Sequence, residues 1–303
     1  MPAQKYRFGF IANSNEIADM FTACIDPYSE EVTVRYGTME EAVPVAGELL
    51  ESGMEVLLCS DGTGSLLLQT MGQPIVNITR THLDVLKALM EAKKHGPFIG
   101  ITNYGAPIGG IELFDDLLSI KTRQVVFTNK TELIQGISEA VQAGIDCLVG
   151  AGISQHIVGG FGGSFVRVPL RRDMIVQALK EARAMAAARR KEKKDQEEMR
   201  TVLQIIKEGM LVIDNFDNVK ICNQAAADIL GVSLQEVIGK PVSGFLEDSD
   251  LLGILRNGKA ELDQICRLGG EYLVTNCLPI VIDGMTQGVV STFKEATRIH
   301  NID

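Results

Sequence analysis

The sequence predicts an α/β architecture of two doubly wound lobes, a long helix, and then a small α+β domain. Three observations predict it. Up to about residue 170, short β-rich runs alternate with amphipathic stretches, the pattern of parallel sheets with helices on both faces. From Arg171 to about Lys207 there is no Gly or Pro, and Ala, Lys, Glu and Arg dominate. After Glu208 the texture changes to a hairpin, short helices and three further strands.

In the first region the predicted strands are Tyr6–Ala12, Val32–Tyr36, Val56–Cys59, Pro74–Ile78, Phe98–Thr102, Gln124–Thr128, Asp146–Gly150 and Ser164–Val168. Between them lie amphipathic stretches such as Met39–Ser52, Thr81–His95 and Lys130–Ala143. Eight strands in so short a span fit two small sheets better than one large one. The domain boundaries read as 1–170 for the two lobes, 171–207 for the helix, 208–296 for the second domain and 297–303 for a linker.

In the long helix, Ile175, Leu179, Ala182 and Ala186 follow 4-3-4 spacing. The stripe lapses through a charged middle and resumes at Met199, Val202, Leu203 and Ile206. Two readings stay open: a rigid connector that pairs with its copy in a dimer, and a solvated spacer. Beyond it, Gly209–Asp214 and Val219–Cys222 flank the turn Asn215-Phe216-Asp217-Asn218. Asn223–Leu230 reads as a helix closed by Gly231, and Ser233 with Glu236 as a capping box. Glu261–Leu268, Tyr272–Ile282 and Gln287–Lys294 read as antiparallel strands, with turns at Gly269-Gly270-Glu271 and Asp283-Gly284-Met285.

Composition bounds the function. The 303 residues are 46% apolar and 22% charged, with thirty Gly against nine Pro, which excludes disordered, collagenous and fibrous classes. The opening MPAQKYRFGF is no leader, and no apolar run approaches the roughly 18 residues of a spanning helix, so a cytoplasmic protein without a membrane partner is expected. Cys24, Cys59, Cys147, Cys222, Cys266 and Cys277 form no CxxC, and the four histidines have no metal-ligand spacing. No metal and no cofactor is expected. The net charge is −10, although Arg167–Lys194 holds ten Lys/Arg against three Asp/Glu. An acidic body repels phosphate backbones, and a basic run without aromatics reads as a solvated helix face.

Open α/β sheets bind ligands outside the carboxyl ends of their strands. Four such loops stand out: Ala12-Asn13-Ser14, Ser60–Ser65, Asn103-Tyr104-Gly105 and Gly150–Ser154. The second and fourth are Gly-rich and lead towards helices, whose free N–H groups favour an anion. The candidate ligand residues are Asn13, Ser60, Asp61, Gly62, Thr63, Gly64, Ser65, Arg80, Thr81, Asn103, Tyr104, Gly150, Gly152 and His156. Arg80 offers a fork to a carboxylate, and His156 a hydrogen bond. The same glycine turns also serve simply to reverse a chain.

Nucleotide and catalytic motifs fail. Gly150-x-Gly152 lacks its third glycine because Gln155 stands there, no phosphate loop of the GxxxxGK[ST] type occurs, and there is no GxSxG elbow. Asp61, Asp84 and His156 fall near strand ends as an acid/base set, or equally as a capping Asp, a helix Asp and a loop His. The second domain has no His between Glu208 and Ala296, and Cys222 lacks the surroundings of a flavin-adduct cysteine.

The segments VLLCSDGTG (56–64), PIVNITRTHLDVLKAL (74–89) and DCLVGAG (146–152) resemble the N-terminal sensory domain of the propionate-catabolism activator family, which are sigma-54-dependent transcriptional activators. Residues Met199–Lys294 resemble a PAS domain through EGMLVID, NQAAADILG, EVIGKPVSGFL and GVVSTFKEAT. The resemblance implies a two-lobed, periplasmic-binding-protein-like sensor for a small effector, a methylcitrate-type acid in the founding member. It implies a PAS relay to an AAA+ ATPase that remodels sigma-54 polymerase, followed by a helix-turn-helix DNA-binding domain. Neither of those modules is recognisable before the chain stops at ATRIHNID, so the sensory part of a longer regulator is expected, not an enzyme.

The family loop commonly reads Ser, a basic residue, Gly, Gly and Thr. Ser60 and Gly62 match it, Asp61 stands at the basic position, and Thr63-Gly64 are reversed. Thr81, Asp84, Gly150 and Gly152 match, whereas Arg171 and Arg172 stand where small residues are usual. These departures argue against a tricarboxylate. The leading reading is therefore a sensor that closes on a small polar metabolite and reports through the helix to PAS, as a homodimer. The alternatives are an isomerase or racemase, which needs opposed Cys or carboxylates in the cleft, and a dimerisation module, which needs an apolar one.

Overall fold

The computed structural model describes residues 5–244, 251–268 and 271–296. The chain divides into two compact units, Met1–Lys191 and Glu192–Asp303.

The first unit holds two parallel sheets. One is built from β1 (Tyr6–Ala12), β2 (Glu30–Tyr36), β3 (Val56–Ser60) and β4 (Ile75–Ile78) in the order β2-β1-β3-β4, with α1 (Asn15–Thr22), α2 (Ala42–Glu51) and α3 (Asp61–Thr70) between them. Phe8 pairs in register with Val32 on one side and Val56 on the other. The other sheet contains β5 (Phe98–Tyr104), β6 (Lys121–Phe127), β7 (Cys147–Gly150) and β8 (Phe165–Arg167) in the matching order β6-β5-β7-β8. Its helices are α4 (His82–Ala92), α5 (Ile111–Leu118), α6 (Lys130–Gln142) and α7 (Gly152–Gly160). The two sheets, each with its reversal of strand order, are the doubly wound lobes that the sequence predicts.

The segment Ser60–Ser65, expected as a Gly-rich loop leading from a strand end towards a helix, is instead the end of β3 followed at once by the first turn of α3. Asp61 has φ 58, the left-handed region that Asp tolerates better than most residues, and this reverses the chain without a connecting loop.

Helix α8 (Arg172–Ile205) follows. In its first part Ile175, Leu179, Ala182 and Ala186 are fully buried against Phe8, Phe10 and Leu58 of the first lobe. Burying Ile or Leu contributes about 1.5–3 kcal/mol each, so this stripe belongs to the lobe core and is not free to pair with a copy. Arg183 donates to the buried Glu30 at 2.5 Å, and Arg190 to Glu55 at 2.5 and 2.6 Å, while the Arg190 guanidinium sits 4.6 Å from the centre of the Tyr6 ring.

The chain crosses between lobes twice. Ile78 lies in the first lobe's core and Val85 in the second's. On the return, Val168 packs in the second core and Leu170 in the first, with Pro169 alone between them.

The second unit, beyond the last part of α8, is an antiparallel sheet in the order β10-β9-β13-β12-β11. Its strands are β9 (Gly209–Asp214), β10 (Val219–Cys222), β11 (Glu261–Leu268), β12 (Glu271–Ile282) and β13 (Met285–Glu295). One face packs through Leu211, Ile213, Val289 and Phe293 against α9 (Gln224–Leu230) and α11 (Leu251–Asn257). The predicted hairpin turn is held by Asp214, whose carboxylate accepts from the N–H groups of Phe216 and Asn218. The Asp283-Gly284 turn has positive φ at both residues, the pairing that favours a two-residue hairpin. Ser233 makes no side-chain cap, so the expected capping box with Glu236 does not form; α10 (Leu234–Val237) is a single turn. Gly269, Gly270, the 297–303 linker and the Cys266 side chain lie outside the described residues.

Candidate ligand cleft between the two sheets

The carboxyl ends of β3 and β4 face those of β5 and β7 across a cavity of about 410 Å³. On the first lobe, Asn77 of β4 donates from Nδ2 to the Asp61 carbonyl and to Ser65 Oγ, both at 3.1 Å, and so pins the first turn of α3 to the sheet. Gly64 makes that approach possible, because a Cβ there would fall 2.1 Å from Asn77 Oδ1.

Arg80 leaves the end of β4 and reaches both lobes. Its Nη1 pairs with Asp61 Oδ1, and its Nε donates to the Val168 carbonyl at 2.7 Å. The side chain is 9% exposed. Burial, and next the charge of Arg167, pull the guanidinium pKa down to about 10, which Asp84 partly opposes; it remains a cation at neutral pH. Thr81 and Asp84 form the capping box of α4, with Asp84 Oδ2 accepting from Thr81 N and Oγ1 at 2.9 and 2.6 Å. Asp84 Oδ1 pairs with Arg171. Burial opposes the charge of Asp84, but the Thr81 hydrogen bonds and Arg171 outweigh it and hold the carboxyl below its usual range.

On the second lobe, Thr102 Oγ1 lies 3.0 Å from Ser154 Oγ, and Gly150 fits beneath them: a Cβ there would stand 2.1 Å from Thr102 Oγ1. The Tyr104 ring meets Phe127 edge-on at 5.7 Å, and burial, aided by Glu40 and Glu132, pushes its phenol pKa up. Asn103 spends its amide on the Ala106 carbonyl at 2.6 Å.

The helix starts around the cleft are unequal. Ser14, Thr81 and Asn129 cap α1, α4 and α6 with side-chain oxygens. Neither α3 nor α7 has a side-chain cap, and both begin at the cavity wall. Their first N–H groups and positive dipole ends are available to an anion.

Of the residues expected from sequence, Asp61, Gly62, Ser65, Arg80, Thr81, Asn103, Tyr104 and Gly150 line this cavity. Six lie off the wall. Asn13 follows β1 without lining the cavity, and Ser60 is buried as the last residue of β3. Thr63 turns inward, and its Oγ1 accepts from Met39 N at 3.0 Å; Met39, at φ 52, plugs into the second lobe's core beside Val125 and Phe127. Gly64 packs on Asn77, Gly152 faces Arg167, and His156 is exposed on α7 with its ring 3.4 Å from the Gly152 carbonyl. The unexpected wall residues are chiefly Asn77, Thr79, Thr102, Ile108 and Phe127. A polar Asn within the apolar strand run PIVNI was the available signal for the first.

Cys59 and Cys147 lie in the lobe cores, where burial pushes their thiols up to about 12 and about 11. Asp61 is the carboxylate on the described wall. The opposed cysteines or carboxylates of a racemase are therefore not found among the described wall residues, nor is the wall uniformly apolar. Among the described residues no group of three or more His, Cys, Asp or Glu is placed to hold a metal, and no helix is long and apolar enough to cross a membrane.

The family model for the propionate catabolism activator matches residues 28–192, more than half of the chain. The chain belongs to this family. A PAS fold model matches residues 197–272. The crystal structure of an NtrC family transcriptional regulator from Clostridium acetobutylicum superposes with a TM-score of 0.57 at 16% identity, covering 62% of this chain and all of that one, which shows a shared fold. Among curated proteins, the sensor protein CitS of Halalkalibacterium halodurans is 31% identical over 103 residues, and the sensor histidine kinase DcuS of Escherichia coli (strain K12) 26% identical over 109. The matches cover 33% and 35% of this chain but only 19% and 20% of those relatives. The chain is thus a regulatory sensory module that joins a two-lobed α/β sensor to a PAS domain.

Proposed function

We propose that the cleft is the effector site of a sigma-54-dependent transcriptional activator and that it binds a small carboxylate-bearing metabolite. The observation that carries this reading is Arg80: a buried cation on the cavity wall that touches Asp61 in one lobe and the Val168 carbonyl in the other. A ligand that contacts Arg80 and the uncapped starts of α3 and α7 favours the lobe arrangement in which these groups converge, and shifts the population towards it. Helix α8, whose first part is built into the first lobe, passes the change to the PAS domain. From there it acts on an ATPase and a DNA-binding module outside this chain, and through them on sigma-54 polymerase. In this reading the chain itself regulates and does not catalyse. Met199, Val202 and Ile205, all exposed on the last part of α8, support pairing with a second copy.

Native mass spectrometry of freshly purified chain, followed by thermal denaturation against small acids, amines, amino acids and sugars, tests the reading. A hundredfold excess of a true effector over its Kd stabilises by about 2.7 kcal/mol, a clear rise in Tm. The rise is expected to vanish in Arg80→Ala. Stabilisation that survives this substitution places the ligand elsewhere.

A further inference from the structure

Asp61 and Arg80 are the two charged side chains on the described cavity wall, and they are spent on one another. The wall as a whole is neutral, yet it is not satisfied. Asp61 Oδ1 meets Arg80 Nη1, but among the described residues Asp61 Oδ2 and Asn77 Oδ1 are buried without a hydrogen-bond partner, and Arg80 Nη1 has no partner besides that ion pair. A buried carboxylate oxygen without a donor is costly, and a hydrogen bond to a charged group recovers more than a neutral one. Across the cleft, α7 starts beside Ala151 and Ser154 without a side-chain cap. Two buried oxygens on the first lobe, Asp61 Oδ2 and Asn77 Oδ1, therefore lack a donor, and the start of α7 lacks an acceptor.

We infer that the cleft takes a zwitterion of the free amino acid class, with its protonated amine at Asp61 Oδ2 and its carboxylate at the uncapped helix start. The inference rests on the cleft being the effector site. A di- or tricarboxylate brings two or more negative charges to a wall whose one cation is already paired, and sets one of them beside Asp61. A simple amine leaves the α7 end empty. The zwitterion adds no net charge and answers both Asp61 Oδ2 and the start of α7.

The test uses matched triplets on the purified chain: L-amino acids, the same skeletons without the amine, and the same skeletons without the carboxylate. Calorimetry or thermal shift reads the affinity. One amino acid is expected to bind at least about tenfold more tightly than either of its truncated analogues, the least that one charged hydrogen bond supplies. Asp61→Asn then distinguishes the cause. Asn accepts φ 58 and still offers Arg80 an oxygen, but it removes the negative charge. The variant is expected to lose amino acid affinity by about tenfold or more and to gain affinity for the deaminated acid, as Arg80 loses its counter-charge. Equal or tighter binding of the deaminated acid, a dicarboxylate or a polyol by the unaltered chain overturns the inference and leaves the sensor reading intact. So does an Asp61→Asn variant that keeps its amino acid affinity. Binding of no compound in the panel overturns both. The triplets on the unaltered chain decide the matter even if the variant fails to fold.

Discussion

Asp84 with Arg171 and Asp61 with Arg80 are both aspartate–arginine pairs beside the interlobe crossovers, and they are finished differently. Asp84 takes Thr81 N and Oγ1 on one oxygen and Arg171 on the other, while Arg171 also holds Asp173 through Nε and Nη2 at 2.9 Å. Each of these atoms has a partner within the chain. Asp61 leaves one oxygen orphaned, in a backbone conformation uncommon for a side-chain-bearing residue, at the edge of a cavity. A closed ion pair stabilises a joint.

The largest effect expected from this difference is on stability. Asp84→Ala removes a helix cap and leaves Arg171 without its buried partner, a loss of about 3 kcal/mol in urea denaturation of the first unit. Asp61→Asn should cost distinctly less, and equal losses would break the comparison. The same asymmetry shows in acid. Asp84 and Glu55 both have folded pKa values below the ordinary one: for Glu55, burial raises it but the hydrogen bonds from Arg190 and Arg7 prevail. Their contribution is present above the unfolded pKa of about 4 and is lost as pH falls through the depressed folded values. Asp84→Asn should flatten the decline of Tm below about pH 4.

A smaller change sharpens how Asp61 is held. Gly64→Ala drives a Cβ into Asn77, the residue that fixes the Asp61 carbonyl, and overpacking of this kind costs about 1–3 kcal/mol. Ligand affinity should fall alongside stability, because the start of α3 shifts. Affinity that stays intact would show that Asp61 is positioned without Asn77. The smallest effect is expected at the exposed cross-lobe pair of Arg167 and Glu16, 2.7 Å apart. Glu16→Gln should change Tm by the equivalent of about 0.5 kcal/mol or less, and by nothing measurable in high salt.

Much of this was legible in the sequence, for a physical reason. Parallel strands buried on both faces read as unbroken apolar runs such as VLLC and CLVG, so all eight strands of the lobes could be placed to within a few residues. The cleft was harder. Position after a strand end identified Asp61, Arg80, Asn103 and Gly150, but not which side of a helix each residue occupies. His156 follows its strand as the others do, yet one further turn of α7 carries it out to solvent. Thr63 looks like a hydroxyl for a ligand, and only the tertiary fold reveals that Met39 claims it. The stripe of α8 was correct in period and ambiguous in partner, because 4-3-4 spacing is the same whether the apolar face meets a sheet or a second helix. The Arg80 contact to Val168 spans 88 positions, and no local pattern encodes it.

The return crossover imposes a mechanical condition. Val168 is anchored in one lobe, Leu170 in the other, and the residue between them is a proline. The ring fixes φ at about −65° and restricts the residue before it, so at this point the backbone keeps one soft torsion within Pro169 where an ordinary residue has two. The other strap, from Ile78 to Val85, is longer and stiffened by the Thr81–Asp84 cap. Both straps are thus restricted in their backbone torsions, one by a proline ring and the other by a helix cap. In the sensor reading proposed above, a ligand would act on lobes joined at this restricted point, and helix α8 starts only three residues beyond that proline.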